Sequence, residues 1–133
     1  MNIFFDVDYT IVALDGKLRP GVKELFQRLA EEGHDIYVWS GMGIRRDTVR
    51  YKGLEPWVKD VFEKPLWDYA QRLKAHGVPI RPDFVVDDYP EVVAAFGGFT
   101  VKPFIRNNED DREMERVYEA IVLHLQDGHR PPP

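Results

Sequence analysis

The sequence contains no cysteine, and this absence excludes disulfides, thiol catalysis and cysteine-ligated zinc. No apolar run is long enough to cross a bilayer. The N-terminus shows no basic segment followed by an apolar one, so no signal peptide is expected. The net charge of −5 lacks the basic excess of a general nucleic-acid-binding surface. These absences fit a cytoplasmic protein that neither spans a membrane nor binds nucleic acid generally.

The length of 133 residues suits one domain with a real core. Hydrophobic residues make up 44% and charged residues 31% of the chain, which is ordinary for a soluble globular protein. We therefore predict a single domain over residues 1–128. The proline-rich residues 129–133 are predicted to be a disordered tail.

Two carboxylates follow the first apolar run of the chain. Residues 3–5 lead into Asp6 and Asp8, and Thr10 follows. At a strand end the two carboxylates can converge, and like charges that close need a cation or a shared proton. With no cysteine in the chain and no histidine nearby, the fitting cation is hard and oxygen-preferring, which indicates Mg²⁺. A strand followed by an ordinary polar turn is the alternative.

A second buried strand is predicted over residues 35–39, and it ends in Ser40 and Gly41. A hydroxyl at that place can donate to an anion, and a glycine lets the backbone approach a ligand. The alternative is a serine that only caps the following helix. That helix is predicted over residues 44–54, where Arg45 or Arg46 could clamp an anionic substrate or lie in solvent.

Lys64 follows a short third strand, which is predicted over residues 58–62. A lysine at this point could offset the charge of carboxylates and a phosphate, although most lysines are simply exposed. Lys59 and Lys102 are rival candidates. We predict a helix over residues 66–76 directly after Lys64 and the proline that follows it.

A fourth apolar strand ends in Asp87 and Asp88. With Asp6 and Asp8 these make four carboxylates at the ends of two strands that we expect to be neighbours in a parallel sheet. Open α/β sheets bind ligands at this edge, and a divalent metal would offset the repulsion between the carboxylates. The alternative is that these aspartates only cap the next helix, but capping explains one aspartate better than two.

In the remaining segments the sequence predicts ordinary secondary-structure elements. A flap over residues 11–19 contains a strong turn pair and could form a small hairpin. A fifth short strand is predicted at residues 99–101. The last helix carries one apolar face and is predicted to be capped by Asn107 or Asn108.

In this order the four polar segments resemble the four motifs of the haloacid dehalogenase (HAD) superfamily of phosphohydrolases. The resemblance covers about residues 1–103 and rests on the Asp-x-Asp-x-Thr run, Ser40, the Lys64-Pro65 pair and the paired aspartates. It implies an α/β fold with a three-layer, Rossmann-like (HAD-like) parallel sheet in the strand order 5-4-1-2-3. The connections after Thr10 and Ser40 are too short for a cap domain.

The resemblance further implies Mg²⁺-dependent hydrolysis of an unidentified phosphomonoester. Asp6 would be the nucleophile that forms an aspartyl-phosphate, and Asp8 the general acid and then the base. Which of Asp87 and Asp88 is the direct metal ligand stays open. The expected phosphate-binding residues are Thr10, Ser40, Gly41 and Lys64, and the expected metal ligands are Asp6, Asp8 (also through its backbone carbonyl), Asp87 and Asp88.

One residue departs from the family pattern, since Tyr9 stands where many members carry a smaller side chain. It could shape the substrate mouth or pack against the flap. Members without caps have open sites, and they often act on large substrates or borrow a lid from a neighbouring subunit. A phosphorylated small molecule or macromolecule is therefore the expected partner, and a homo-oligomer could cover the site.

Two other functions compete with hydrolysis. A signalling receiver domain would carry its phospho-acceptor aspartate at the end of the third strand, whereas here Asp60 precedes the apolar pair of that strand and Glu63 follows it. The second competing function is that of a non-catalytic binding protein with the HAD fold. The intact Asp6 and Asp8 argue against it, because a protein without chemistry has no need of both.

Overall fold

The computed structural model describes residues 1–128, and within them strands and helices alternate along most of the chain. The predicted tail lies outside the described residues. A short 3₁₀ helix, Lys74–His76, follows the third strand. The elements in chain order are β1 (Asn2–Asp6), α1 (Val22–Glu31), β2 (Asp35–Ser40), α2 (Arg46–Tyr51), β3 (Val58–Glu63), β4 (Phe84–Asp87), α3 (Pro90–Phe96), β5 (Gly98–Thr100) and α4 (Glu113–Gly128).

All five strands are parallel and form one sheet in the order β3-β2-β1-β4-β5. This confirms the predicted α/β class and strand order. The order differs from the flavodoxin-like 2-1-3-4-5 arrangement that signalling receivers share. In the central strand β1, Phe5 is paired with Val38 of β2 and Val86 of β4. Because the strands are parallel, the carboxyl ends of β1, β2 and β4 lie at one edge of the sheet.

Both faces of the sheet are covered, which explains why its strands are apolar runs rather than alternating patterns. On one face, Phe5 packs against Phe26 of α1, with ring centroids 4.6 Å apart, in a cluster that also includes residues of α4. On the other face, Phe4 packs against Trp39 at 4.7 Å, in a cluster that includes Val92 of α3. The two clusters hold the central strand rigidly between them.

The prediction of a helix over residues 66–76 is wrong. Residues 66–73 form bends and turns, and only Lys74–His76 is helical. The interruption lies at Asp68, whose φ of 46° is in the left-handed region and cannot continue a right-handed helix. One isolated helical turn survives, in which the Arg72 N–H donates to the Asp68 carbonyl at 3.0 Å.

Two helix boundaries also differ from their predictions. The helix α2 is shorter than the predicted 44–54. The helix α4 begins at Glu113, whose N–H donates to Asp111 Oδ1 at 3.1 Å. Asn108 instead accepts the Asp110 N–H at 3.0 Å in a local turn, so neither predicted asparagine caps the helix.

The connections at the carboxyl edge are short. Residues 7–21 join β1 to α1, and the hairpin predicted over residues 11–19 lies within them: Val12 pairs with Leu18, and the Arg19 N–H donates to the Ile11 carbonyl at 2.7 Å. Residues 41–45 join β2 to α2, and neither connection holds a further helix or sheet strand. Among the described helices, none has both the length and the apolar character to cross a bilayer.

We expect Gly98→Ala to lower the free energy of unfolding by more than about 3 kcal/mol, because the backbone atoms that an added Cβ would meet cannot move aside. An added Cβ would lie 1.9 Å from the Val85 carbonyl oxygen and 2.6 Å from the Val85 nitrogen, both in the backbone of β4. The matched control is Gly77→Ala. Its φ of 73° and ψ of 23° lie in the left-handed α region and an added Cβ would meet nothing within 4 Å, so a loss of about 1–2 kcal/mol is expected. Urea denaturation measures both values, and equal losses would contradict the proposed clash.

Candidate active site

The carboxyl ends of β1, β2 and β4 and the segment after β3 surround an open cavity of about 410 Å³. Six of the eight residues predicted for the site line this cavity. The other two, Thr10 and Asp87, are buried behind its wall. The six lining residues are Asp6, Asp8, Ser40, Gly41, Lys64 and Asp88.

Lys64 bridges two buried carboxylates. Its Nζ lies 3.0 Å from Asp6 Oδ1 and 2.8 Å from Asp87 Oδ2. The Lys64 N–H donates to the Ser40 carbonyl at 2.9 Å, which extends the pairing of β2 and β3 and brings the lysine to the sheet edge. Burial lowers the pKa of the Lys64 ammonium, but the Asp6 and Asp87 carboxylates outweigh burial and raise this pKa above its ordinary value. Lys64 is therefore a cation in the site.

The two rival lysines lie elsewhere. Lys59 Nζ pairs at 3.3 Å with Asp35, which begins β2 and so lies at the opposite edge of the sheet. The side chain of Lys102 is exposed, and its backbone carbonyl accepts a hydrogen bond from Arg19. Of the three candidates, the structure places only Lys64 beside the predicted nucleophile.

Asp6 is buried at the floor of the cavity, and its pKa is raised to about 7, chiefly by this burial. The Asp87 carboxylate contributes to the rise, while Lys64 opposes it. The Thr10 hydroxyl lies 3.2 Å from Asp6 Oδ2 and 3.5 Å from Asp88 Oδ1. Thr10 thus positions the two carboxylates rather than lining the cavity.

Three carboxylates are close enough to share a metal ion. Asp6, Asp87 and Asp88 each present an oxygen within 4.8 Å of those of the other two. Asp87 already uses both oxygens, since Oδ1 accepts the Tyr89 N–H at 3.0 Å and Oδ2 accepts from Lys64. Asp88 is half-buried, and among the described donors only the Thr10 hydroxyl lies within hydrogen-bond distance of its carboxylate, at 3.5 Å. Asp88 is therefore the freer of the two paired aspartates.

The Asp8 side chain lies outside this group of three. Its Oδ2 forms a 2.7 Å ion pair with Arg45 NH1. The neighbouring Arg46 instead pairs at 3.1 Å with Asp60 on the surface. Of the two arginines left open by the sequence, the structure brings only Arg45 to the site.

The charges of the site fit a divalent cation. Hard carboxylate oxygens are the ligands that such ions prefer, and two negative charges are left without a partner of opposite sign. The four carboxylates are Asp6, Asp8, Asp87 and Asp88, and the two cations beside them are Lys64 and Arg45.

Ser40 and Gly41 occupy the end of β2. Ser40 Oγ accepts the Met42 N–H at 3.1 Å, and among residues 1–128 its own hydroxyl hydrogen has no acceptor. It is therefore free to donate to a ligand in the cavity. At Gly41, an added Cβ would lie 2.6 Å from Leu66 Cδ2, so the absence of a side chain makes room for the cavity wall.

Arg19 is a supporting residue that no sequence pattern indicated. It is fully buried and forms a two-pronged ion pair with Asp111, at 2.8 and 3.0 Å. It also donates to the Thr10 carbonyl at 3.2 Å and to the Lys102 carbonyl at 2.8 Å. Arg19 thereby ties the loop that follows β1 and carries Thr10 to the start of α4. A single arginine in a polar hairpin has no periodicity or motif that could reveal this role.

No family model, curated protein or solved structure matches this chain.

Without divalent metal, we expect Asp6→Asn to stabilise the protein more strongly at pH 8 than at pH 5. In the folded protein Asp6 keeps its proton up to about pH 7, whereas the unfolded chain loses it near the ordinary value of 3.8. The folded state binds more protons in this window, so the stability of the wild type falls as the pH rises through it. The shift corresponds to a few kcal/mol, at about 1.4 kcal/mol per pKa unit.

Urea denaturation in EDTA at the two pH values measures this difference. The exposed Asp110→Asn is the control and should follow the wild type at both. Adding Mg²⁺ at pH 8 should stabilise the wild type more than Asp6→Asn, because the ion offsets the buried negative charge. Equal stabilities of wild type and Asp6→Asn at both pH values would contradict the raised pKa.

Proposed function

We propose that the protein is a Mg²⁺-dependent phosphohydrolase that cleaves a phosphomonoester through an aspartyl-phosphate intermediate. The observation that carries this proposal is the buried Asp6, held by Lys64 on the floor of an open cavity beside two further acids. The order of the four motifs supports a HAD-type enzyme. A three-layer, Rossmann-like arrangement without a cap domain belongs to the same proposal.

Mg²⁺ would be held by Asp6 and Asp88, together with the backbone carbonyl of Asp8 as the family resemblance implies. Asp87 is occupied by Lys64 and by a backbone N–H, so we assign it to positioning Lys64. When bound, the ion supplies the positive charge that lets a phosphate dianion approach several carboxylates.

In the first step, Asp6 attacks the phosphorus atom. A bond forms between an Asp6 oxygen and phosphorus as the bond from phosphorus to the alcohol oxygen breaks. Lys64 favours the ionised form of Asp6 and, with the Ser40 hydroxyl, stabilises the negative charge on the phosphoryl oxygens. Asp8, at the cavity wall, protonates the departing alcohol oxygen.

In the second step, water attacks the phosphorus of the aspartyl-phosphate. Asp8, which lost its proton to the alcohol, now takes a proton from the water. Inorganic phosphate leaves and Asp6 is restored as a carboxylate. Arg45 contributes by holding the Asp8 carboxylate at the cavity through their 2.7 Å ion pair.

We expect the wild type to release phosphate from p-nitrophenyl phosphate with Mg²⁺ but not with EDTA. Asp6→Asn should lower kcat by at least about a thousandfold, because an amide cannot form the intermediate. Circular dichroism checks that the variant is folded. Wild-type turnover by Asp6→Asn would rule out the proposed nucleophile. Mg²⁺ binding without turnover of any phosphate ester would favour the non-catalytic binding protein.

The two adjacent arginines give a matched comparison. Arg45→Gln should lower kcat/KM about tenfold, because it removes a charge-assisted contact that places Asp8. Arg46→Gln removes an exposed pair with Asp60 and should stay within about twofold of the wild type. Steady-state kinetics on p-nitrophenyl phosphate measures both, with thermal melting as the check on folding. Similar kinetics for the two variants would contradict the proposed role of Arg45 in placing Asp8.

A further inference from the structure

The cavity is walled on the solvent side of its carboxylates by large apolar and aromatic side chains. Three of them are well exposed, with Met42 at 81%, Leu66 at 59% and Tyr89 at 60%. Single exposed apolar residues are normal, but several around one cavity mark a surface that binds something. The six residues of this apolar wall are Tyr9, Met42, Leu66, Tyr69, Tyr89 and Val92.

The apolar wall begins immediately beside the proposed phosphate site. Leu66 reaches over Gly41, the residue that follows Ser40 at the end of β2. Tyr89 follows Asp88 directly, and its N–H donates to Asp87 at 3.0 Å. A phosphate bound at Lys64 and Ser40 would therefore carry its alcohol part against this wall.

Tyr9 occupies a backbone conformation that suits glycine better than tyrosine. Its φ is 63°, and such a left-handed geometry costs a non-glycine residue about 1–3 kcal/mol. The conformation is fixed on both sides, because the Tyr9 N–H donates to the Val12 carbonyl and its carbonyl accepts from the Phe104 N–H, both at 2.8 Å. The strained backbone places an aromatic ring in the cavity wall, where glycine would leave it open.

The cavity offers no spare cation for a second anionic group. Lys64 is the only lysine or arginine that lines the described cavity, and it already contacts Asp6 and Asp87. Arg45 is paired with Asp8. A carboxylate or second phosphate on the substrate would meet repulsion from the acids without gaining an ion pair.

We propose that the cavity takes phosphomonoesters whose alcohol part is uncharged and aromatic, with its ring packed against the apolar wall. This inference rests on the proposed function. Each aromatic contact with a tyrosine would strengthen binding by about two- to tenfold beyond the burial of apolar area. A charged or strongly polar alcohol part would gain none of this.

The test compares esters of primary alcohols, so that the leaving groups have similar intrinsic reactivity. We expect kcat/KM for benzyl phosphate to exceed that for cyclohexylmethyl phosphate by about threefold or more, and that for phosphoglycolate by at least about tenfold. The preference for benzyl over cyclohexylmethyl should fall towards unity in Tyr89→Ala and in Tyr9→Gly. Tyr51→Ala removes an 82% exposed tyrosine on α2 outside the cavity and should keep the preference.

A binding measurement separates this inference from the proposed function. Calorimetry with Mg²⁺ compares the dissociation constants of benzylphosphonate and cyclohexylmethylphosphonate, which cannot be hydrolysed. Preferential binding of benzylphosphonate that Tyr89→Ala abolishes would support the aromatic site, even if no ester were turned over. Asp6-dependent hydrolysis of all three esters with equal kcat/KM would overturn the inference while leaving the proposed function intact. Failure of both phosphonates to bind, without hydrolysis of any ester, would overturn both.

Discussion

The contact on which the site depends is the buried lysine that lies between two buried carboxylates. Without Lys64, Asp6 and Asp87 would face each other in a poorly hydrated space, and removing one member of such a group commonly costs about 3–5 kcal/mol. Buried ion pairs add little net stability compared with apolar packing. The arrangement is therefore better understood as one that keeps a carboxylate buried beside a cation at the expense of stability, as the proposed nucleophile requires.

The surrounding structure makes this arrangement possible. The central strand is packed on both faces by apolar clusters, so the strand ends that carry Asp6 and Asp87 have fixed positions. The loop after β1 is held at its far end by the buried Arg19, which joins it to the start of α4. The rigid sheet and the anchored loop together preorganise the polar groups, and preorganisation is what electrostatic catalysis requires.

Much of the fold was predictable because it depends on local signals. The apolar runs predicted the strands, the resemblance to the HAD superfamily supplied their order, and the polar residues at the strand ends were found together as expected. The break at Asp68 was not predictable, because a left-handed aspartate leaves no mark on helical periodicity. The choice of Arg45 over Arg46 and the role of Arg19 depend on contacts across 37 and 92 residues of sequence, which no local pattern encodes.

The strand order also has a consequence for how the chain folds. The strand β1 is central but comes first in the chain, and one of its edges is covered only when β4, some 80 residues later, pairs with it. A chain growing from its N-terminus can pair β1 with β2, and β2 with β3, while the other edge of β1 stays open to other chains. The aspartates of the proposed metal site also meet only when β4 arrives. Under that proposal, ion binding is tied to the pairing of β4 with β1, and an incompletely synthesised chain would neither bind the ion nor be protected by it.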